Sequence, residues 1–389
     1  MNTTIPDLTP SKVYALPNRE HALQAVLNEI AARRDEFGAI SHIPRDVIGM
    51  MKQAGIFRAS TPTHFGGDAL PPHEFMRTVE RISTIDGSAG WISAFGSANT
   101  YLATLPLASQ EELYASGPDQ VFAGGFFPPH PGKEVSGGWS VSGRWKFASG
   151  CKGADWLGVG FNKSPEQPGN ISWAIFPSRE VEIVESWDVV GMQGTGSHDL
   201  ALNDKFISNE WTCERSGATP FDDTLYRYPA LSYQAQIHAV VNLGLARAAI
   251  DIAIEMAEQS KLIPGVSKLA GRAYFKNALS RAEVCWQSAR MYFYEVAEQA
   301  WACLAAGDEL PRPLLNMLNL SAAHAAHTSA DITQSIYRVS GIGVIQKTHR
   351  LQHIVRDSMV VTQHAAVSLG TFEAAGAVLA NVDPGMPYI

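Results

Sequence analysis

Cysteine is scarce: four residues in 389, at Cys151, Cys213, Cys285 and Cys303. None forms a CxxC pair, and no Cys/His cluster has zinc-ligand spacing, so neither a disulfide framework nor a metal site is expected. Scattered single thiols suit a reducing compartment, which predicts a cytoplasmic location. Basic charge is also short, with 30 Lys and Arg against 38 Asp and Glu, a formal net charge of -8. No basic block breaks that balance, which argues against nucleic acid or an anionic membrane as partner. No apolar run approaches the roughly 20 residues of a membrane span. The opening MNTTIPDLTPSKVYALP has no charged segment followed by an apolar core, so no signal peptide is expected. No GxGxxG follows a strand-like run, so a Rossmann nicotinamide site is not supported.

Apolar residues, by contrast, make up 46% of the chain and charged residues 17%, a balance for a well-buried protein with two or three subdomains. Residues 1–18 form a loose arm with three prolines. Leu23, Val26, Leu27, Ile30 and Ala31 then recur at helical spacing. Further helices are predicted from Pro44 to Gly55, from Pro72 to Ile85, and from Ala89 to Leu105 behind an Asp86-Gly87-Ser88 break. Between Val121 and Thr212 short alternating runs and Gly/Pro/Asn turns take over, the pattern of an antiparallel barrel or sandwich. From Tyr228 onward four long helices are predicted, around 243–257, 266–306, 311–338 and 350–380, with breaks at Pro264, Gly307-Asp308 and Gly341-Ile342-Gly343. The expected class is α+β: an N-terminal helical domain (1–118), a central antiparallel β-barrel or sandwich (119–222) and a C-terminal four-helix bundle (223–389). A crevice where the three meet is a natural ligand site.

One stretch, Gly138 to Phe161, organises the middle. It reads as two strands around a Gly150-Cys151-Lys152-Gly153 turn. Strict period two would put Trp145, Phe147 and Ser149 on one face. A hydroxyl beside two flat aromatics suits a stacked ring; an ordinary half-buried hairpin has the same pattern.

The segment DVVGMQGTGSH (188–198), the strand with Trp145, Phe147 and Ser149, and Gly341-Ile-Gly343 followed by Arg356-Asp357 together resemble the acyl-CoA dehydrogenase fold, from about residue 20 to 380. The dehydrogenase reaction needs a carboxylate base. Its usual Tyr-Glu-Gly-Thr-like motif is missing from VTQHAAVSLGTFEAAG; Glu373 lacks the context and His364 stands in the stretch instead. Asp86-Gly-Ser-Ala-Gly-Trp91 and the Arg356-Asp357…His364 pattern resemble the flavin-dependent monooxygenases of that superfamily, the oxygenase components of two-component systems. FAGG and RWKFASGCKGADW are similar to those acting on indole and indole-3-acetate.

This resemblance implies reduced FAD or FMN, supplied by a separate NAD(P)H-dependent flavin reductase, and a flavin C4a-hydroperoxide formed with dioxygen and kept in a dry pocket. It implies that Ser149 meets flavin N5, that Gly124 and Gly125 pass the ring, and that Thr195 and Ser197 reach its edge or the ribityl chain. Arg272 would meet the diphosphate of a neighbouring subunit, with Gly341 and Gly343 on the adenine side, which implies a homotetramer. A bulge is the plainer account of the two strand glycines. His364 is either a general acid/base or a structural histidine; on a continuous helix it would share a face with His353, Arg356 and Val360. Trp91, Phe95, Phe126 and Phe127, with Tyr101, could sandwich a flat aromatic substrate or simply pack helices. His324 and His327, three apart, are better read as packing than as a metal pair; His130 could cover the pocket or face solvent, and His198 could finish a turn. Two rival readings are an FAD-dependent acyl-CoA dehydrogenase and a flavin-free binding or scaffold member of the fold.

Overall fold

The computed structural model describes residues 17–163, 171–214, 217–259 and 268–385; the arm before Pro17 and the break at Pro264 lie outside them. Among the described residues six α-helices come first: α1 (Pro17–Ile40), α2 (Arg45–Gln53), α3 (Pro72–Ile85), α4 (Gly87–Ser93), and the short α5 (Asn99–Leu102) and α6 (Leu107–Leu113). Leu23, Val26, Leu27 and Ile30 form the buried stripe of α1. The side chain of Asp86 accepts the Ala89 N–H at 2.8 Å and starts α4. The helix expected over 89–105 is broken into α4, a 3-10 turn at Ala94–Ser97 and α5. Ser93, Ser97 and Thr100 each turn a hydroxyl back to the carbonyl three residues earlier, which competes with regular helix.

Seven strands follow: β1 (Phe122–Val135), β2 (Gly138–Ala148), β3 (Trp156–Asn162), β4 (Ile171–Pro177), β5 (Glu182–Val184), β6 (His198–Ser208) and β7 (Thr212–Glu214). They make one sheet in the order β5-β6-β2-β1-β3-β4-β7. The expectation of an antiparallel barrel or sandwich is corrected here. The sheet is mixed, because β1 and β3 run parallel, Phe122–Gly125 beside Trp156–Val159. The cause is the length of β1. Its end pairs with β2 in a hairpin, and the chain leaving β2 turns at Cys151–Gly153 and returns along the start of β1.

The shared face of Trp145, Phe147 and Ser149 is also corrected. The β2–β6 pairing shifts register between Trp145 and Ala148, and Phe147 takes a left-handed φ of 63°. Trp145 is fully buried, its Nε1–H donating to Gly160 O at 2.7 Å, whereas Phe147 is 68% exposed. A bulge cancels period-two alternation.

The C-terminal helices are α7 (Ala230–Gln259), α8 (Ala273–Ala305), α9 (Arg312–Val339), α10 (Arg350–Val361) and α11 (Leu369–Leu379). The single helix expected over 350–380 is two helices, separated by residues 362–368. Part of α7, Ala230–Glu258, is long and apolar enough to cross a membrane by length and composition, but 83% of its apolar window is buried inside the protein. It is the central helix of the fold: Asn242 Nδ2 donates to Ala326 O on α9 and to Ser358 O on α10.

Candidate active site

The site is built around α4, every residue of which is buried. Three contacts fan out from it. A Cβ on Gly194 would lie 3.0 Å from Ser88 Cβ, so the 191–197 loop packs directly on α4. A Cβ on Gly150 would lie 3.2 Å from Ile92 Cδ1 and 4.0 Å from Phe95 Cδ2, so the turn after Ser149 does too. Trp91 faces α7 and the 362–368 segment.

The first cluster is a run of hydroxyls. Ser149 Oγ lies 2.6 Å from Ser197 Oγ, which lies 2.7 Å from Thr195 Oγ1, which donates to Met192 O at 2.8 Å. All three hydroxyl residues are buried. Met192 sits at a left-handed φ of 55°, and its N–H donates to Asp357 Oδ1 at 2.5 Å. Asp357 is a partly buried carboxylate on α10, pushed up to about 7 by desolvation and then by Asp86; desolvation raises Asp86 as well. Thr195, Ser197 and Ser149 are separate candidates along the chain, and only the fold joins them.

The second cluster is aromatic. His364 does not continue α10, so the shared helix face with His353, Arg356 and Val360 is corrected: α10 ends at Val361. His364 caps a 3-10 turn instead, its Nδ1 accepting the Ala366 N–H at 3.3 Å. Its ring stacks on His238 of α7 with centroids 4.1 Å apart and planes 14° from parallel. Trp91 packs 4.3 Å from the His238 ring and 5.6 Å from the His364 ring. His238 Nδ1 donates to Gln234 O at 2.6 Å, and Tyr101 Oη donates to Gln234 Oε1. His238 was missed in the sequence. Its signal was the run of polar residues Gln234, His238 and Asn242, four apart on one face of α7.

The expected aromatics therefore divide. Trp91 belongs to the histidines. Phe126 packs on Trp173 at 4.6 Å and on Phe127 at 5.2 Å, and Phe127 is 57% exposed. Tyr101 joins the groups, 6.2 Å from Trp173 and bonded through Gln234 to His238's helix. Phe95 is partly buried against the apolar side chains on both sides of α4.

The other expected residues are placed as follows. A Cβ on Gly124 would lie 2.3 Å from Gly158 O, and one on Gly125 2.7 Å from Trp145 Cβ, so strand packing alone requires glycine at both. Arg272 bonds Tyr274 Oη at 2.7 Å near the surface, and Gly341 and Gly343 are exposed. His130 lies in β1 rather than on a loop, its Nε2 accepting from Arg144 N–H at 3.3 Å and its ring 5.0 Å from Trp145. His327 Nε2 donates to Val367 O at 3.0 Å, which helps hold the His364 turn. His198 Nδ1 accepts from the N–H groups of Ser186 and Trp187, closing the turn before β6.

A flavin fits this arrangement. The buried hydroxyls ending at Ser149 suit the polar edge of an isoalloxazine, and the exposed ring of Phe147 next to them suits its flat apolar face. No carboxylate base is at hand from the expected stretch: Glu373 is exposed on α11.

Helices, a mixed central sheet and helices again, in this order, make the architecture of the acyl-CoA dehydrogenases. The family model for the acyl-CoA dehydrogenase N-terminal domain matches residues 18–113, and that for the C-terminal domain residues 236–369. The chain is 41% identical over 373 residues to an indole-3-acetate monooxygenase of Pseudomonas putida, covering 95% of each chain. It is 35% identical over 380 residues to an indole-3-acetate monooxygenase of Acinetobacter baumannii, covering 97% of this chain and 98% of that one. XiaF from Streptomyces sp., solved in complex with FADH2 and glycerol, shares the fold with a TM-score of 0.87 at 20% identity, over 95% of this chain and 98% of that chain. The chain belongs to the flavin-dependent monooxygenases of the acyl-CoA dehydrogenase superfamily.

Proposed function

We propose that this chain is the oxygenase component of a two-component system that uses reduced flavin and dioxygen to oxygenate an indole-like aromatic, indole or indole-3-acetate. The observation that carries this reading is the stacked His238–His364 pair against Trp91, in the region where a dehydrogenase places its carboxylate. The high identity to two indole-3-acetate monooxygenases supports the substrate class.

In this reading reduced FAD or FMN supplies the electrons that activate dioxygen. Ser149 holds the N5 edge of the ring. Phe147 covers one face. Gly124, Gly125, Thr195 and Ser197 line its border. His364 holds or moves a proton at the oxygen transferred, and Trp91, Phe95, Phe126 and Phe127 enclose the substrate ring. Burial of α4 and the apolar walls exclude water. The chain has no Rossmann fingerprint, so a separate NAD(P)H-dependent reductase delivers the reduced flavin. Arg272, Gly341 and Gly343 complete the neighbour's flavin site in a homotetramer; their surface positions are compatible with that. The division into 1–118, 119–222 and 223–389, with a C-terminal helical bundle, is supported by the confinement of the described strands to Phe122–Glu214. We place the protein in the cytoplasm.

The test is to mix the protein with chemically reduced FAD and then with oxygen and indole-3-acetate, and to weigh the product. A product heavier by one oxygen atom is expected. Unchanged substrate, with peroxide released as fast as from free flavin, would overturn the reading. An acyl-CoA dehydrogenase would instead purify yellow and need a base, and a scaffold member would bind no flavin.

A further inference from the structure

The stacked histidines are held in opposite tautomers. His238 Nδ1 lies 2.6 Å from Gln234 O, a backbone carbonyl that can only accept, so this nitrogen carries the hydrogen. His364 Nδ1 faces the backbone N–H of Ala366 at 3.3 Å, a group that can only donate, so this nitrogen carries a lone pair. Both partners are main-chain groups, and neither direction turns on a hydroxyl rotor. In a neutral imidazole, fixing one nitrogen fixes the other. His364 therefore presents Nε2–H, a donor, and His238 presents the lone pair of Nε2, an acceptor.

The surroundings keep His238 in this form. The His364 ring lies 4.1 Å away and 14° from parallel, a spacing at which two imidazolium charges repel each other strongly. The Gln234 amide nitrogen lies 3.1 Å from His238 Nδ1 and 3.4 Å from Nε2, distances that place it over the ring rather than in its plane. The Tyr101 hydroxyl holds that amide through its oxygen. With Nδ1 turned back to its own helix, Nε2 is the far end of the side chain, in the cluster with Trp91 and His364. His238 is only 4% exposed, so bulk water is a poor substitute for a partner at this atom.

We propose that His238 determines substrate specificity: its Nε2 accepts the ring N–H of the aromatic substrate, so the site selects rings that carry a hydrogen-bond donor over rings of the same shape that do not. The inference rests on the proposed function and divides the work of the pair, His364 donating toward the oxygen transferred and His238 accepting from the substrate. The one polar atom of an indole ring is a donor. A ring that carries oxygen in that place sets an acceptor against an acceptor, with no hydrogen between them. A buried mismatch of this kind separates two ligands by roughly 5- to 150-fold.

The experiment compares indole-3-acetate with benzofuran-3-acetate, the same skeleton with oxygen in place of the N–H. Their dissociation constants are measured anaerobically on the full chain with reduced FAD, at about pH 8, where free imidazole is neutral. The wild type is expected to bind indole-3-acetate at least about fivefold tighter. His238→Phe keeps a flat ring on His364 but offers no acceptor, and the ratio of the two constants is expected to fall to about one. Melting curves check that the variant is folded, and His238→Met carries the test if His238→Phe is not. A wild-type ratio near one, or a ratio unchanged in the folded variant, overturns the inference while leaving oxygenation intact. Equal weakening of both ligands in the variant also overturns it, because a lost packing surface would act on both alike. No binding of either ligand to the wild type overturns both this inference and the proposed function.

Discussion

The imidazoles of His238 and His364 lie face to face, 4.1 Å apart, although they belong to α7 and to the turn after α10. The Nδ1–H of His238 is tied to Gln234 O, which fixes its ring plane, and that plane in turn fixes the ring of His364. Replacing His238 by Ala removes the stacking surface. The expected result is a loss on the order of 10- to 100-fold in product formed per reduced flavin, with the balance appearing as peroxide. His238→Phe restores a flat surface and should recover most of the coupling. Equal coupling in the wild type and His238→Ala would show that the stack does not position His364.

Asp357 gives a pH signature in stability. The carboxyl has an ordinary value of 3.8 and is raised to about 7 in the fold. Between those values the folded chain keeps a proton that the unfolded chain has released. The stability contributed by this group is therefore full at low pH and falls as pH rises through about 7. Asp357→Asn keeps an oxygen to accept the Met192 N–H but cannot ionise. Its unfolding free energy relative to wild type should rise from pH 5 to about pH 7 and level off above that, reaching a gain of about 1–3 kcal/mol. Parallel stability curves for the two proteins would contradict this.

Phe147 is a large apolar side chain left 68% exposed beside a buried polar run, and it packs only loosely on Trp187, 6.3 Å away edge-on. Phe147→Ala should leave stability within about 0.5 kcal/mol. If Phe147 covers the flavin as proposed, the variant should weaken binding of reduced flavin about tenfold. A full-strength flavin site in this variant would remove Phe147 from the cofactor's surroundings.

Ile342 is 80% exposed and Ile345 59% exposed, on the loop that begins with Gly341. In the proposed homotetramer this loop would lie against a neighbour. Ile342→Asp should shift sedimentation from four chains toward smaller species and weaken flavin binding together with it. A wild-type protein that sediments as a monomer would refute the shared site.

The helical ends were legible because amphipathic stripes such as Leu23, Val26 and Ile30 depend only on spacing along the chain. The strands were legible one by one for the same reason, but their pairing was not. The parallel β1–β3 pair arises because one long strand serves two ladders, a property of the assembled sheet. The false shared face of Trp145, Phe147 and Ser149 came from assuming unbroken alternation across a bulge that only the β6 partner reveals.

The chain's residue order alone determined the family, the missing carboxylate base and the set of hydroxyl and imidazole groups available, since these are matters of which residues are present and in what motif. Tertiary structure alone decided that Ser149, Ser197 and Thr195 form one hydrogen-bonded run, and that His364 meets His238 rather than His353. The physical reason is that hydrogen-bond direction and ring stacking depend on distances of a few ångströms between segments far apart in sequence, and nothing local encodes them.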